Sequence, residues 1–253
     1  MSLHYQIIGD SDTSLLLIHG LFGSGDNWRG IAKQLSPSYQ VISVDLRNHG
    51  RSFQHAQQSY DLMAVDIAEV LDKLNIDKTH LLGHSIGGKV AMQFAAQYAE
   101  RLDKLVVVDI APRQYADGHS QIFKTLMSVD LSQYQQRSDI DNYLKTFIPD
   151  SGVRSFLLMN VVSVSGELSW RINLEYLFCN YPALLQPVSL DTKVDNPTLF
   201  IRGADSDYIN ADDRQQIRNQ FTNVQIVAIS KAGHWVHADQ PAYFTEMVTR
   251  FLK

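Results

Sequence analysis

A serine hydroxyl attacks a carbonyl only when a base removes its proton, because it is a poor nucleophile at neutral pH. The oxyanion that then forms needs fixed N–H donors. Ser85 has the surroundings for this chemistry. It stands in Gly83-His84-Ser85-Ile86-Gly87, a G-x-S-x-G pattern, with an aliphatic run before it and an amphipathic stretch after it. That setting predicts a strand, a sharp bend and a helix, with the serine thrown out at the bend. A serine held there is strained by about 1–3 kcal/mol. Side chains two positions either side would collide with the bend, and glycines remove them.

Nine histidines compete to be the base. His234, in Ala232-Gly233-His234-Trp235, follows a predicted strand and precedes a predicted helix. It therefore lies on a loop at the carboxyl ends of the strands, the edge where Ser85 emerges and where open α/β sheets hold ligands. His237 is its nearest rival. His84 adjoins the serine, but its side chain is expected to point across the turn. His49, in Arg47-Asn48-His49-Gly50, reads as a turn residue. For the oxyanion, Ile86 N–H is one donor by its position at the start of the helix. His19-Gly20-Leu21-Phe22-Gly23 follows an early strand, and its Leu21 N–H is the candidate for the second.

These residues need a scaffold. Short apolar runs at Leu15–Ile18, Gln40–Val44, His80–Leu82, Lys104–Val108, Thr198–Ile201 and Gln225–Ile229 read as strands. Several are almost continuous Leu, Ile and Val, as in a parallel sheet buried on both faces. Helices are predicted over Trp28–Leu35, Leu62–Leu74, Ile86–Tyr98, Ala211–Gln220 and Ala242–Leu252. In Leu62–Leu74, apolar residues at 63, 67, 70, 71 and 74 share one face. His4–Ile8 adds an edge strand. The alternation predicts an α/β fold, a doubly wound, mostly parallel sheet. It breaks between about 113 and 190, where four helical pieces and no strand are expected: Ser120–Met127, Ile140–Phe147, Val153–Val161 and Leu174–Leu184. The expected organisation is a core of residues 1–112 and 191–253 with a helical cap insertion at 113–190.

Composition excludes several classes. Apolar residues make up 45% and charged residues 19%, so a large core is available. A net charge of -5 without a basic run argues against a nucleic-acid partner. No apolar stretch has membrane-spanning length, and the N-terminus lacks the pattern of a signal peptide. Cys179 is the single cysteine, so no intrachain disulfide forms. A cytoplasmic protein without a membrane partner is expected. No metal or cofactor is expected, since no ligand spacing suggests one.

The segments HGLFG, DLRNHGRS, GHSIGG, VVVDIAP and AGHWVHADQP, in this order, resemble the α/β-hydrolase fold superfamily. Within it the chain is similar to the YbfF-type bacterial esterases and the ABHD-type hydrolases. The resemblance spans nearly the whole chain and is weakest in the cap. It implies a serine hydrolase of esters or thioesters, with Ser85 as nucleophile, His234 as base, and Leu21 and Ile86 as oxyanion donors. The acid departs from the commonest pattern. Many relatives carry Gly-x-x-Asp after the penultimate strand, whereas Gly203-Ala204-Asp205-Ser206-Asp207 puts Ser206 there, flanked by two aspartates. Asp109 instead ends an apolar strand, where a carboxylate is costly unless paired, and His234 is a suitable partner. Asp109, Asp205 and Asp207 all preserve the order Ser, Asp, His, and Ser206 is a candidate to hydrogen-bond the acid.

The expected reaction is attack by Ser85, proton transfer through His234, an acyl-enzyme, and hydrolysis by water. The expected substrate is a small-molecule ester or thioester of short to medium acyl chain. Phe22, Trp235, Phe147, Leu158 and Trp170 are candidates to line an apolar pocket, and Arg113, Lys124 and Arg202 are expected in solvent. The same scaffold also serves perhydrolases, lyases and ligand-binding proteins with little turnover, so these alternatives stay open.

Overall fold

The computed structural model describes residues 1–188, 190 and 193–253. Its strands and helices alternate as follows. Strands β1 (Tyr5–Ile8) and β2 (Ser14–Ile18) lead through helix α1 (Arg29–Leu35) to β3 (Gln40–Val44). Helix α2 (Tyr60–Lys73), β4 (Thr79–His84), α3 (Ile86–Gln97) and β5 (Leu102–Val108) follow. Then come α4 (Ser120–Met127), α5 (Arg137–Leu144), α6 (Ser151–Leu158), a hairpin of β6 (Val161–Val164) and β7 (Glu167–Trp170), and α7 (Leu174–Leu185). The chain closes with β8 (Thr198–Gly203), α8 (Ala211–Gln220), β9 (Val224–Ile229), α9 (Val236–Asp239) and α10 (Pro241–Leu252).

Seven strands form one sheet in the order β1-β3-β2-β4-β5-β8-β9. All neighbours are parallel except the edge pair β1–β3. Helices cover both faces, as the doubly wound pattern requires. Met63, Ile67 and Leu71 of α2 and Val90 and Phe94 of α3 pack with Leu16, Ile18 and Leu81 on one face. Ile31 and Leu35 of α1 and Phe244 and Val248 of α10 pack with Leu15, Leu17 and Leu82 on the other. Adjacent β2 side chains thus enter opposite cores, which explains its continuous apolar run. Each such buried aliphatic contributes about 1.5–3 kcal/mol.

Capping accounts for the shifted helix ends. Ser59 accepts from Leu62 N, so α2 starts before the first residue of its apolar stripe. Asp150 accepts from Val153 N and starts α6 at Ser151. The segment between β5 and β8 corrects one expectation: it contains a strand pair. Val161, expected at the end of a helix, begins β6. Ser165 and Gly166, at φ 52° and 90°, make the two-residue turn to β7.

Candidate active site

Ser85 follows β4 directly and has φ 53° and ψ -124°. Three contacts hold the bend. Its N–H donates to Val108 O at 3.0 Å, at the end of β5. A Cβ at Gly83 would collide with the Gly87 carbonyl, and one at Gly87 with the carbonyls of Ile18 and His19. The glycines are therefore a packing requirement of the bend. Helix α3 starts at Ile86, whose N–H is one of the donors a helix leaves free at its first turn.

Gly23 N donates to Gly20 O at 3.0 Å, and Phe22 has φ 61°, which makes Gly20–Gly23 a type II turn. A Cβ on Gly20 would lie 3.2 Å from Ser85 Cβ, so only glycine lets the turn approach the serine this closely. His19 anchors the turn: Nδ1 bonds Gly20 O at 2.8 Å and Nε2 accepts from Leu46 N at 3.0 Å. Burial pulls this ring down to about 4, in keeping with the neutral form that can accept. Buried Asn160 donates Nδ2–H to Phe22 O at 2.8 Å and ties the far side of the turn to the segment after α6.

Asp109 follows β5, with φ 50° and a wholly buried side chain. Oδ1 accepts from Gly203 N at 3.0 Å. Oδ2 accepts from Ser206 Oγ and, at 2.8 Å, from His234 Nδ1. All its partners donate, which is the arrangement of an ionised carboxylate. Nδ1 being occupied, Nε2 is the nitrogen His234 has left for a reacting group. The backbone of His234 is held too: its carbonyl accepts from His84 Nε2 at 2.8 Å. Tyr208 stacks on its ring, centroids 3.7 Å apart and planes 17° apart.

Asp205 and Asp207 are exposed, and among the described residues the carboxylate bonded to His234 is Asp109. His237 lies within α9 beside Trp28 and His84, with ring centroids 4.4 and 4.9 Å away. Burial, with His234 adding repulsion, pulls it down to about 3. His49 packs against His19 at 4.9 Å, away from the serine.

Two cavities meet at Ser85. The larger, about 870 Å³, is lined by Ser85, His234, Phe22, Trp28, Phe156 and Trp235, among others. The smaller, about 190 Å³, is lined by Ser85, Ile86, Lys89, Tyr60, Tyr115 and Arg113, among others. Leu21, Ser85, Gly118, His119 and Tyr208 border both. Of the expected pocket residues, Phe22 and Trp235 line the large cavity, whereas Phe147, Leu158 and Trp170 line neither. Phe147 is half exposed on the surface. Two of the cations expected in solvent have partners instead. Arg113 Nε lies 2.7 Å from Asp213 and its guanidinium sits over the Tyr115 ring, while Arg202 donates to the carbonyls of Ala204 and Ser206. Lys89 and Tyr208 carry no sequence motif; the one hint is a lysine, Lys89, at a position of α3 that helical spacing turns inward.

Among the described residues no helix is long and apolar enough to cross a membrane, and no three His, Cys, Asp or Glu side chains converge as metal ligands.

The sheet, its crossovers and the groups gathered at its carboxyl edge define a class: an α/β hydrolase. A family profile described as alpha/beta hydrolase fold matches residues 13–241, and the chain belongs to that family. It is 37% identical to Esterase YbfF of Escherichia coli, covering 96% of this chain and 94% of that one. It is also 37% identical to the sn-1-specific diacylglycerol lipase ABHD11 of Danio rerio, covering 100% of this chain and 83% of that one. A solved structure titled marine microorganism esterase superposes with a TM-score of 0.97 at 37% identity, over 99% of both chains. The protein is a hydrolase of the carboxylesterase type.

Proposed function

We propose that Ser85 is the nucleophile of this hydrolase, His234 its base and Asp109 the acid that orients the base. The observation that carries this reading is the 2.8 Å bond from His234 Nδ1 to buried Asp109, on a ring that lines the same cavity as Ser85. Ser85 attacks the acyl carbonyl as His234 Nε2 takes its proton. The N–H groups of Leu21 and Ile86 hold the oxyanion, each worth about 2.7–4 kcal/mol in the transition state. His234 then gives its proton to the departing alcohol or thiol, and a water deprotonated by the same ring attacks the acyl-enzyme, releasing the acid and freeing Ser85. Short to medium acyl esters and thioesters suit this site, because the wall of the smaller cavity bounds one side of the serine.

Labelling with a serine-directed fluorophosphonate tests the assignment. Wild type should take up one label, on Ser85, and Ser85→Ala should take up none. Labelling that survives the substitution overturns the proposal.

A further inference from the structure

The two cavities have different chemistry, and the proposed mechanism assigns each a half of the substrate. His234 must deliver a proton to the leaving group, and it lines only the large cavity. Ile86, a proposed oxyanion donor, lines only the small one. The alcohol or thiol then lies in the large cavity, on the side of His234, which leaves the small cavity at Ser85 for the acyl group. A dry cavity of about 150 Å³ holds benzene, so about 190 Å³ accepts an acyl group of roughly six to eight heavy atoms.

The small cavity also holds a cation. Lys89 lies one helical turn beyond Ser85 on α3 and is 1% exposed. Its ammonium donates to Gln186 O at 2.6 Å and lies over the rings of Tyr60 and Tyr115, 5.4 and 5.0 Å from their centroids. No carboxylate is bonded to it among the described residues, and an ammonium has three donors. The neighbouring hydroxyls are committed: Tyr60 donates to Leu184 O and Tyr115 to Tyr208 O, while Tyr181 Oη accepts from the N–H groups of Gly118 and His119 and bonds His119 Nδ1 at 3.0 Å. Arg113, on the same wall, is paired with Asp213, and Asp207 borders the cavity from an exposed position. Lys89 is thus a buried cation without a counter-charge, beside the place where an acyl chain ends.

Building on the serine-hydrolase reading, we infer that the small cavity is an acyl subsite for a chain ending in a carboxylate, which Lys89 receives. The substrate class is then a half-ester or half-thioester of a four- to five-carbon dicarboxylic acid with a bulky, largely apolar alcohol or thiol. A succinyl group fits the volume. Burial, with Arg113 adding repulsion, pulls Lys89 down to about 7, and an arriving carboxylate would favour its charged form.

Hydrolysis of 1-naphthyl hydrogen succinate and 1-naphthyl butyrate tests this in the full-length protein at pH 6.5. Wild type should show kcat/KM at least tenfold higher for the hydrogen succinate. Lys89→Met and Lys89→Gln should each cut that ratio at least tenfold. Equal rates in wild type, or a ratio that survives both substitutions, overturns the inference. Because Lys89 also ties α3 to Gln186, a wild-type measurement stands beside the variants: free succinate should inhibit butyrate ester hydrolysis competitively, with Ki at least tenfold below that of butyrate. Equal inhibition also overturns it. Fluorophosphonate labelling of Ser85 with no succinate preference would refute the subsite alone. Absent labelling together with absent turnover would refute the nucleophile and the subsite together.

Discussion

Tyr208 lies face to face with His234, its ring centroid 3.7 Å from the imidazole and its plane inclined by 17°. Two bonds position the tyrosine: its N–H donates to Ser206 Oγ at 3.3 Å, and its carbonyl accepts from Tyr115 Oη at 2.6 Å. Ser206 also bonds Asp109, so one hydroxyl links the carboxylate that holds the imidazole with the residue that stacks on it. Tyr208 is a positioning residue for the proposed base, and its ring faces the imidazolium as it forms. A cation over an aromatic face gains about 0.5–2 kcal/mol. Tyr208→Leu should therefore lower kcat/KM about 2- to 30-fold, and Tyr208→Phe, which keeps the stack, should restore most of it. Steady-state kinetics on the two variants decides. Equal losses would place the effect in the hydroxyl.

Asp109 and Asp205 make opposite forecasts. Asparagine at 109 would offer His234 Nδ1 a weaker acceptor and no negative charge, and would permit the wrong tautomer. Asp109→Asn should cut kcat by about 10³–10⁴, the loss seen when a buried triad acid is amidated. Asp205→Asn changes an exposed side chain and should stay within about threefold of wild type. Nitrophenyl ester hydrolysis by both variants separates them, and the reverse ranking would return the acid to the loop after β8.

Acid should unfold this protein through its histidines. Burial lowers His19 to about 4 and His49 and His237 to about 3 in the folded state. An unfolded imidazole binds its proton near ~6.5. Between these limits the unfolded chain holds more protons, so stability is complete above ~6.5 and is lost as pH falls towards the folded values. Each ring can cost up to about 2 kcal/mol between pH 6.5 and 5. The urea midpoint should drop from pH 7 to pH 5, and His237→Gln should show a shallower drop than wild type. A midpoint independent of pH over that range would reject the linkage.

Much of this site is legible before any coordinates. Gly83 and Gly87 announce the bend because steric exclusion there is local and leaves a composition signature. Asp109 is legible as an oddity, a carboxylate closing an apolar strand. Its partners are less so: Gly203 N–H leaves no trace in the sequence, and Ser206 is suggested by position alone. The wall residues are the hardest to read. Phe147 and Trp170 are as apolar as Phe156 and Trp28, and only tertiary packing decides which of them meets the cavity. The β6–β7 hairpin did carry a local signal, Ser165-Gly166 between alternating segments. The apolar spacing that precedes it also suits a helix running through Val161. Lys89 is not legible because lysine in a helix is ordinarily a solvated residue, and its burial depends on Gln186, Tyr60 and Tyr115, which come from distant parts of the chain.

Asp109 follows β5 and Ser85 follows β4, and these two strands are hydrogen-bonded neighbours deep inside the sheet. The proposed nucleophile and its carboxylate thus share a common foundation, and the segment from 204 to 210 is relieved of carrying the acid. It supports the site instead, with the Ser206 hydroxyl on Asp109 and the Tyr208 ring against His234 and both cavities. Asp207, exposed at the rim of the small cavity, is the place in that stretch where a new substrate preference can be tried without disturbing the carboxylate or the proposed base.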